Sequence, residues 1–329
     1  MRRILIFIML PTAIILLIPI FMAFLAPADE GNSPGGEGGG RGGPEITVQI
    51  SSKGETAKTV MMPLEEYLVG VVAAEMPAGF PMEALRAQAV AARTYALKKI
   101  YRGFSEKGPH PDAHICTDHT HCQAWKSQEE MRAAWGKNVQ DLQRKITSAV
   151  ETTRGQILTY NGSLIEPVYH STSNGKTENS EGAWQSEVPY LRSVSSPWDR
   201  ESPRFISSVE YTLEEIDQRL GTTLRAIPVG NFSANSPIGI SESSATGRAR
   251  VVTVGGKEFT AAEIRESLGL ASCDFSWEIQ GGSIKFTCKG YGHGVGMSQY
   301  GARGMALEDH DYKKILKYYY TGVNLERAY

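Results

Sequence analysis

This sequence lacks an excess of either charge, because 34 Lys and Arg residues stand against 36 Asp and Glu residues. The formal net charge of −2 leaves no electrostatic footprint for nucleic acid. The settings of two functional motifs are missing as well. No G-x-S-x-G sequence stands between a predicted strand and a helix, as the nucleophile elbow of a Ser/His hydrolase requires, and glycines 290, 292, 294 and 296 do not have the G-x-G-x-x-G spacing of a nucleotide site. Internal repeats are also absent, so repeat architectures are excluded.

Charged residues are missing from residues 4–25, a long apolar run near the N-terminus. At about 1.5 Å per residue, a helix of this length covers the ~30 Å hydrocarbon core of a bilayer. Basic residues precede the run and acidic residues follow it, which predicts a cytoplasmic segment at 1–3, a transmembrane anchor at 4–25 and a body outside. A cleaved signal peptide is the alternative, since Ala26-Pro27-Ala28 resembles a cleavage site.

Large apolar side chains are absent from residues 26–44, which are rich in glycine. Such a segment cannot pack into a core, so we expect a flexible linker. The remaining residues, 45–329, are long enough for one large extracytoplasmic domain or two lobes.

Strand and helix patterns interleave in residues 45–329 without a regular strand–helix–strand rhythm, which predicts an α+β fold. Hairpin turns are indicated at Lys53-Gly54, Asn161-Gly162, Gly255-Gly256 and Gly281-Gly282. Helices are predicted from Pro63 to before Pro77, and over 82–100, 129–150 and 312–320. The segment GYGHGVGMSQYGARGMA near the C-terminus is predicted to be a glycine-rich loop.

Glu75 lies on the apolar stripe of the first predicted helix, with Leu64, Leu68, Val71 and Val72. A carboxylate in such surroundings loses solvent, which raises its pKa and suits a general acid. The plainer interpretation is a carboxylate at a frayed helix end that faces water.

On the next helix, Gln88 and Arg93 flank an alanine-rich stripe. Small alanines allow close packing, so this helix could bring both polar groups near Glu75. Alternatively, Gln88 and Arg93 cap backbone groups or pair with other acids.

Four histidines and two cysteines fall within residues 110–122. Imidazole and thiolate donors at this density suit tetrahedral zinc. The alternative is a Cys116–Cys122 disulfide with solvated histidines, since an exported domain can hold disulfides. The histidines are His110, His114, His119 and His121.

Cys273 and Cys288 flank the predicted hairpin at Gly281-Gly282. They could form a disulfide across its strands, which would stabilise the fold by ~3 kcal/mol in the chain-entropy model. Two free cysteines in the core are the alternative.

A polar segment after a predicted strand contains His170, Ser171, Ser173 and Asn174. These side chains could line a cleft and bind sugar hydroxyl or N-acetyl groups. His293 lies among the glycines near the C-terminus, where backbone can approach a ligand or a helix. For both histidines, a structural hydrogen bond is as reasonable as catalysis.

Three segments carry a resemblance to a known family: LEEYLVGVVAAEMPAGFPMEALRAQAVAARTYAL, YHSTSNGKTE and GHGVGMSQYGA. In this order they closely resemble the stage II sporulation protein D family. Its members are membrane-anchored lytic transglycosylases that act during forespore engulfment in endospore-forming bacteria. The resemblance implies an essential Glu75 with Gln88 and Arg93 in supporting roles. It also implies zinc in a His-x5-Cys-x4-His-Cys pattern, matched here by His110, Cys116, His121 and Cys122.

The implied reaction cleaves the bond between N-acetylmuramic acid and N-acetylglucosamine in peptidoglycan strands and leaves 1,6-anhydro ends. The implied partners are the sporulation amidase (stage II protein P) and a membrane protein (stage II protein M), in the mother-cell membrane. Two alternatives stay open. One is a muramidase that uses Glu75 with water, and the other is a wall-binding module that activates an amidase, since the broader family includes amidase enhancers.

Overall fold

The computed structural model describes residues 43–51, 56–105, 107–118, 120–184, 186–226 and 236–329. Residues 42–329 group into one compact unit. The predicted segments 1–3 and 4–25 lie outside the described residues, as do nearly all of the linker 26–44 and the candidate ligand His119. Within the described ranges, every helix is too short or too polar to span a bilayer.

The described residues contain both helices and small sheets, so the predicted α+β class is confirmed. The α-helices are α1 Leu64–Glu75, α2 Met82–Arg102, α3 Gln128–Trp135, α4 Val139–Thr152, α5 Ser180–Ala183, α6 Leu213–Leu220, α7 Ala261–Ser267, α8 Gln299–Leu307 and α9 Tyr312–Tyr319. The strands are β1 Glu45–Ile50, β2 Lys58–Pro63, β3 Ile115–Cys116, β4 Gln156–Tyr160, β5 Ser163–Leu164, β6 Tyr169–His170, β7 Ile206–Thr212, β8 Ile238–Ser243, β9 Ala249–Val254, β10 Lys257–Thr260, β11 Phe275–Gln280, β12 Ser283–Lys289, β13 Met297–Ser298 and β14 Asn324–Arg327.

The N-terminal hairpin leads directly into the first helix. β1 and β2 pair antiparallel, as predicted, and β3 adds to β1 in parallel, while the predicted turn at Lys53-Gly54 lies outside the described residues. Pro63 is the N-cap of α1, where its missing N–H costs nothing because the first helical N–H groups have no intrahelical partner. The helix ends at Glu75, since Met76 is extended and a proline follows.

The predicted helix over 129–150 is in fact two helices, and glycine is the reason for the break. Gly136 adopts a φ of +52, which ends α3, and a short 3-10 turn precedes α4. The hairpin at Asn161-Gly162 is confirmed, because both residues have positive φ and join β4 to β5.

The main hydrophobic core lies between α1, α2, α4, α8, α9 and the sheet β14-β4-β5. Buried alanines on α2 let α1, α4 and α8 pack closely against it, and Ala89, Ala92 and Ala96 are fully buried. This packing fixes the end of α1, where Glu75 lies.

The stretch of chain that follows α5 and precedes β13 forms a second, β-rich lobe with its own hydrophobic core. It contains the sheets β11-β12-β7 and β10-β9-β8 with α6 and α7. The predicted hairpin turns at Gly255-Gly256 and Gly281-Gly282 are both confirmed.

The prediction of a glycine-rich loop near the C-terminus is wrong for the second half of that segment, which folds as α8. Its glycines serve close packing. A Cβ at Gly301 would lie 1.9 Å from the Tyr319 hydroxyl, and one at Gly304 would lie 2.2 Å from the Trp198 side chain. In the first half, β13 pairs in parallel with β6, so His170 and Ser298 lie side by side.

Candidate functional site

Glu75 lies at the C-terminal end of α1 and lines a cleft of about 820 Å³. The cleft walls come from three stretches that are distant in sequence: residues 120–126, residues 166–171 and residues 291–293. Gln299 and Tyr300, at the start of α8, complete the wall beside Glu75. The fold thus places one carboxylate from a helix end in an open groove.

A backbone group and a side chain from distant parts of the described chain bind the Glu75 carboxylate. The Ala124 backbone N–H donates to Oε1 at 2.9 Å, and the Gln299 side-chain amide donates to Oε2 at 3.4 Å. The same Gln299 amide donates to the Gln88 side-chain oxygen at 3.5 Å. Gln88 is fully buried and shares the Gln299 amide with Glu75, and its supporting role stays a prediction.

A buried tyrosine, Tyr67, and a partly buried one, Tyr169, also lie near Glu75. Tyr67 donates its hydroxyl to the Gln123 side chain at 3.4 Å, and Gln123 donates to the Tyr169 hydroxyl at 2.9 Å. Burial, followed by the charge of Glu75, raises the pKa of Tyr169 well above its ordinary value. Tyr169 is therefore a neutral phenol in the cleft wall, able to donate or accept a hydrogen bond without carrying charge.

The expectation that Arg93 lies near Glu75 is wrong. Arg93 is fully buried and makes a two-pronged ion pair with Glu65, with N–O distances of 2.9 and 2.7 Å. Glu65 is ten residues before Glu75 on α1, roughly 15 Å along the helix axis. Arg93 also donates to the Val150 carbonyl at 3.0 Å, so it ties α2 to α1 and α4. Its position makes it a core residue.

The His/Cys segment brings four donors together: His110, Cys116, His121 and Cys122. Their ligand atoms all lie within 4.8 Å of one another. The Cys122 sulfur is 3.3 Å from His110 Nε2, and the Cys116 sulfur is 3.7 Å from both ring nitrogens of His121. Zinc–sulfur bonds of ~2.3 Å and zinc–nitrogen bonds of ~2.05 Å give tetrahedral S···N edges of about 3.6 Å. The donor set and its spacing fit zinc.

A Cys116–Cys122 disulfide and a ligand role for His114 have less support. Cys116 and Cys122 are both free thiols, so the structure contains no disulfide between them. Burial, and then the neighbouring Cys122, raise the pKa of the Cys116 thiol to about 11. His114 is used elsewhere, because its Nδ1 accepts the Thr47 backbone N–H at 3.0 Å and its ring lies against Phe104.

The His/Cys segment is fixed at both ends. Cys116 belongs to β3 and is paired in register with Gln49 of β1. Two residues after Cys122, the Ala124 N–H holds Glu75. The backbone that presents the donors thus continues directly into the group that positions the carboxylate.

His170, Ser171 and His293 line the cleft, and their ligand-binding role stays a prediction. His170 Nδ1 lies 3.1 Å from the Val295 carbonyl, which assigns the proton to Nδ1 and leaves Nε2 as an acceptor. His293 Nδ1 accepts the Val295 N–H at 3.1 Å. Burial lowers the pKa of His170 well below its ordinary value and that of His293 to about 4. Both rings are neutral near pH 7.

Ser173 and Asn174 do not line the cleft, because their side chains are used inside the protein. Ser173 donates to the Asp199 carboxylate at 2.6 Å. Asn174 donates to Asp274 at 2.7 Å and accepts from Arg248 at 2.9 Å, which connects the main core to the β-rich lobe. The predicted sugar-binding role of these two residues finds no geometric support.

Asp199 is a fully buried carboxylate that sequence reasoning missed. It accepts hydrogen bonds from Ser173 and, at 2.5 Å, from Ser298, the N-cap of α8. Burial raises its pKa. Because Gln299 follows Ser298, Asp199 fixes the helix start that presents Gln299 to Glu75.

The predicted Cys273–Cys288 disulfide is not formed, and both residues are free thiols. The strand register gives the reason. Cys288 is opposite Phe275, so Cys273 precedes the ladder and is offset from Cys288 by two residues.

Two further cleft residues, Tyr169 and Gln299, were also missed. Both lie in the motifs that carried the resemblance, so motif membership was the available signal. Their positions near Glu75 bring together chain segments more than 90 residues apart, and no local pattern predicts them.

Comparison with known proteins yields a consistent set of relatives. A family model described as stage II sporulation protein matches residues 52–160, which include Glu75 and all four candidate metal ligands. The chain is 42% identical over 268 residues to stage II sporulation protein D of Bacillus subtilis (strain 168), covering 81% of this chain and 75% of that protein. Stage II sporulation protein D of Bacillus amyloliquefaciens is likewise 42% identical over 269 residues, with the same coverage. An amidase enhancer of Bacillus subtilis (strain 168) is 29% identical over 306 residues, 78% of this chain and 40% of the enhancer.

Proposed function

The chain belongs to the stage II sporulation protein D family, and from this membership and the cleft we propose that it is a lytic transglycosylase of peptidoglycan. Its proposed substrate is the glycan strand, cut between N-acetylmuramic acid and N-acetylglucosamine during forespore engulfment. Glu75 is the proposed catalytic acid and base.

The main support for this proposal is which carboxylates line the cleft. Among the described residues that line it, the acids are Glu75 and Glu166. Glu166 pairs with Lys98 at 3.1 Å and with Arg102 at 3.8 Å, so its charge is engaged. Ordinary glycosidases need two carboxyl groups that flank the scissile bond. One positioned carboxyl group suits a reaction in which the substrate supplies its own nucleophile.

The proposed reaction proceeds without water and balances within the sugar. Protonated Glu75 gives its proton to the glycosidic oxygen, and the bond from this oxygen to the muramic C1 breaks. The muramic C6 oxygen forms a bond to C1 and releases its proton to the Glu75 carboxylate. The products are a 1,6-anhydro-muramic end and a free N-acetylglucosamine hydroxyl, with Glu75 protonated again.

The remaining polar residues have supporting tasks in this proposal. Gln299 and the Ala124 N–H orient the Glu75 carboxylate. Ser171 lies farther along the same wall and offers a hydroxyl to the sugar. His170 is buried behind this wall, and His293, which is neutral, lines the cleft without adding charge.

We propose that zinc binds His110, Cys116, His121 and Cys122. Four protein ligands close a tetrahedral shell, so the ion would supply structure and would hold the segment that carries the Ala124 N–H. Proton transfer stays with Glu75.

The location and partners are also proposals. A retained anchor at residues 4–25 would hold the domain outside the mother-cell membrane, beside the sporulation amidase (stage II protein P) and stage II protein M. The family's place in sporulation supports this setting. Recovery of the intact chain with membranes would support the anchor, and a soluble product lacking those residues would contradict it.

One relative favours a second candidate function. The similarity to an amidase enhancer supports a wall-binding module that stimulates an amidase. In that case Glu75 would be dispensable, since binding needs no proton transfer.

The test is the Glu75→Gln variant with Glu166→Gln as its matched control. Glutamine keeps the shape of Glu75 and the hydrogen bond from Ala124 but cannot exchange a proton. We expect cleavage of purified glycan strands to fall by ~10²-fold or more in Glu75→Gln and to be largely retained in Glu166→Gln. A folded Glu75→Gln variant with near-normal turnover would refute the proposal.

A further inference from the structure

The cleft contains an aromatic surface that the proposed chemistry does not use. Trp184 and Tyr291 line the same cleft as Glu75, and their side chains are 43% and 40% exposed. The His293 ring lies 5.3 Å from Trp184 and 5.7 Å from His170, so the three rings follow one another along the cleft. Trp184 and Tyr291 together with Arg204 are called the aromatic subsite below.

The aromatic subsite stands on fixed backbone. Tyr291 and Thr172 exchange two backbone hydrogen bonds of 2.7 and 3.2 Å. Gly290 precedes Tyr291 with a φ of +81, and a Cβ there would lie 2.8 Å from the Thr172 carbonyl, so glycine permits this approach. The Trp184 N–H donates to the Ser180 carbonyl at the end of α5. Rigid rings bind a ligand at a low entropy cost.

Arg204 adds a positive charge to the aromatic subsite. Its guanidinium lies 4.4 Å from the centroid of the Tyr291 ring, a cation–π distance. In the described part of the chain, no carboxylate is within ion-pair distance of Arg204. By contrast, the cleft residue Lys126 donates to the Ala73 carbonyl at 3.3 Å. Arg204 thus presents an exposed, unpaired guanidinium beside the aromatic rings.

We infer that Trp184, Tyr291 and Arg204 form a sugar-binding subsite that holds the glycan strand away from the bond that Glu75 cuts. A pyranose ring has an apolar C–H face, which an aromatic ring can cover while the sugar hydroxyls stay in water. Arg204 binds a carboxylate of the strand, since guanidinium matches carboxylate in shape and charge. That carboxylate belongs either to the muramic lactyl group or to a stem peptide. The inference rests on the proposed function for its substrate class.

Binding of three probes to the full-length protein in a Glu75→Gln background tests the subsite. The probes are a chitin oligosaccharide, which has N-acetyl sugars and no carboxylate, stem-free glycan strands and strands that keep their stem peptides. Trp184→Ala and Tyr291→Ala should each weaken binding of all three probes by about tenfold, and Trp184→Phe should retain most of it. The control is Tyr101→Ala, which removes an exposed aromatic side chain outside the cleft and should change nothing.

Arg204→Ala should weaken binding only of probes that carry carboxylates. A loss confined to stem-free strands identifies the lactyl carboxylate, and a loss confined to stem-bearing strands identifies the peptide. An equal loss on chitin, or no loss on any probe, would overturn the role of Arg204. Unchanged binding by folded Trp184→Ala and Tyr291→Ala variants would overturn the subsite. Because binding is measured without cleavage, a failure of the proposed chemistry leaves this result intact.

Discussion

The ion pair of Arg93 and Glu65 provides a sharp test of how this fold is held together. Arg93 is fully buried and Glu65 is 5% exposed, and their two short hydrogen bonds join α2 to α1. The Tyr329 hydroxyl and the Gly155 N–H also donate to Glu65. The Arg93→Met variant keeps much of the side-chain volume and removes the charge, so it leaves a buried carboxylate with neutral donors alone.

The size of the effect follows from the uncompensated charge. Removing one partner of a buried ion pair costs about 3–5 kcal/mol of unfolding free energy. The Val150 and Gln156 carbonyls also lose a donor, which adds to the cost. The double variant Arg93→Met/Glu65→Gln removes both charges, so it should be less unstable than Arg93→Met alone. That non-additivity is the signature of a direct pair.

The pH dependence should differ between the two proteins. Burial alone would raise the pKa of Glu65, but the hydrogen bonds and charge of Arg93 outweigh it and hold the pKa below its ordinary value of 4.5. In the wild type this group therefore contributes stability above its unfolded pKa, which is lost as pH falls through the folded pKa. In Arg93→Met burial dominates, the pKa lies above the ordinary value, and stability falls as pH rises through it. The gap between the proteins should thus widen from acid to neutral pH.

Urea unfolding followed by circular dichroism, at acid and neutral pH, measures both quantities. Cleavage activity per folded molecule should stay within a few-fold of the wild type, because Arg93 lies far from Glu75. The reasoning would be refuted by an Arg93→Met variant of normal stability that has lost glycan cleavage, since Arg93 would then act in catalysis.

Three further outcomes are expected. The purified protein should carry about one zinc per chain by elemental analysis, and Cys116→Ser should lose it and show a lower thermal midpoint by calorimetry, whereas full zinc content in the variant would contradict the ligand set. Asp199→Asn should lower kcat by roughly tenfold with KM little changed, because the variant loosens the helix start that presents Gln299; steady-state kinetics with an unchanged kcat would contradict this positioning role. His293→Gln should leave the shape of the pH–rate profile between about pH 6 and 8 unchanged, because burial lowers the pKa of His293 to about 4 and the ring is neutral throughout. Loss of an ionisation near pH 6.5 in that variant would show that His293 titrates during catalysis.

Secondary-structure elements could be predicted from sequence where local residues determine where they end. Asn161 and Gly162 both adopt positive φ, which is why a two-residue hairpin could be placed there from sequence. Helix α8 was missed because Gly301 and Gly304 lower helix propensity. Those glycines are required by contacts with Tyr319 and Trp198, which are tertiary contacts that propensity cannot show.

In the candidate site, too, some residues could be predicted from the sequence and others could not. Glu75 could be predicted because the apolar stripe of α1 and a distinctive motif coincide on it. The partner of Arg93 could not be predicted, because α1 carries both Glu65 and Glu75. Helix periodicity does not determine how α2 is aligned along α1. Ser173 and Asn174 follow a strand as cleft residues would, but Asp199 and Arg248 bind them from segments that the sequence does not bring together.

Product analysis tests the central claim most directly. Purified protein is incubated with stem-free glycan strands in ¹⁸O-labelled water, and the new ends are identified by mass spectrometry. A lytic transglycosylase that works through Glu75 alone should produce 1,6-anhydro-muramic ends without ¹⁸O, and the Glu75→Gln variant should produce none. Reducing ends that carry ¹⁸O would show that water attacks the sugar, and they would contradict the proposed mechanism.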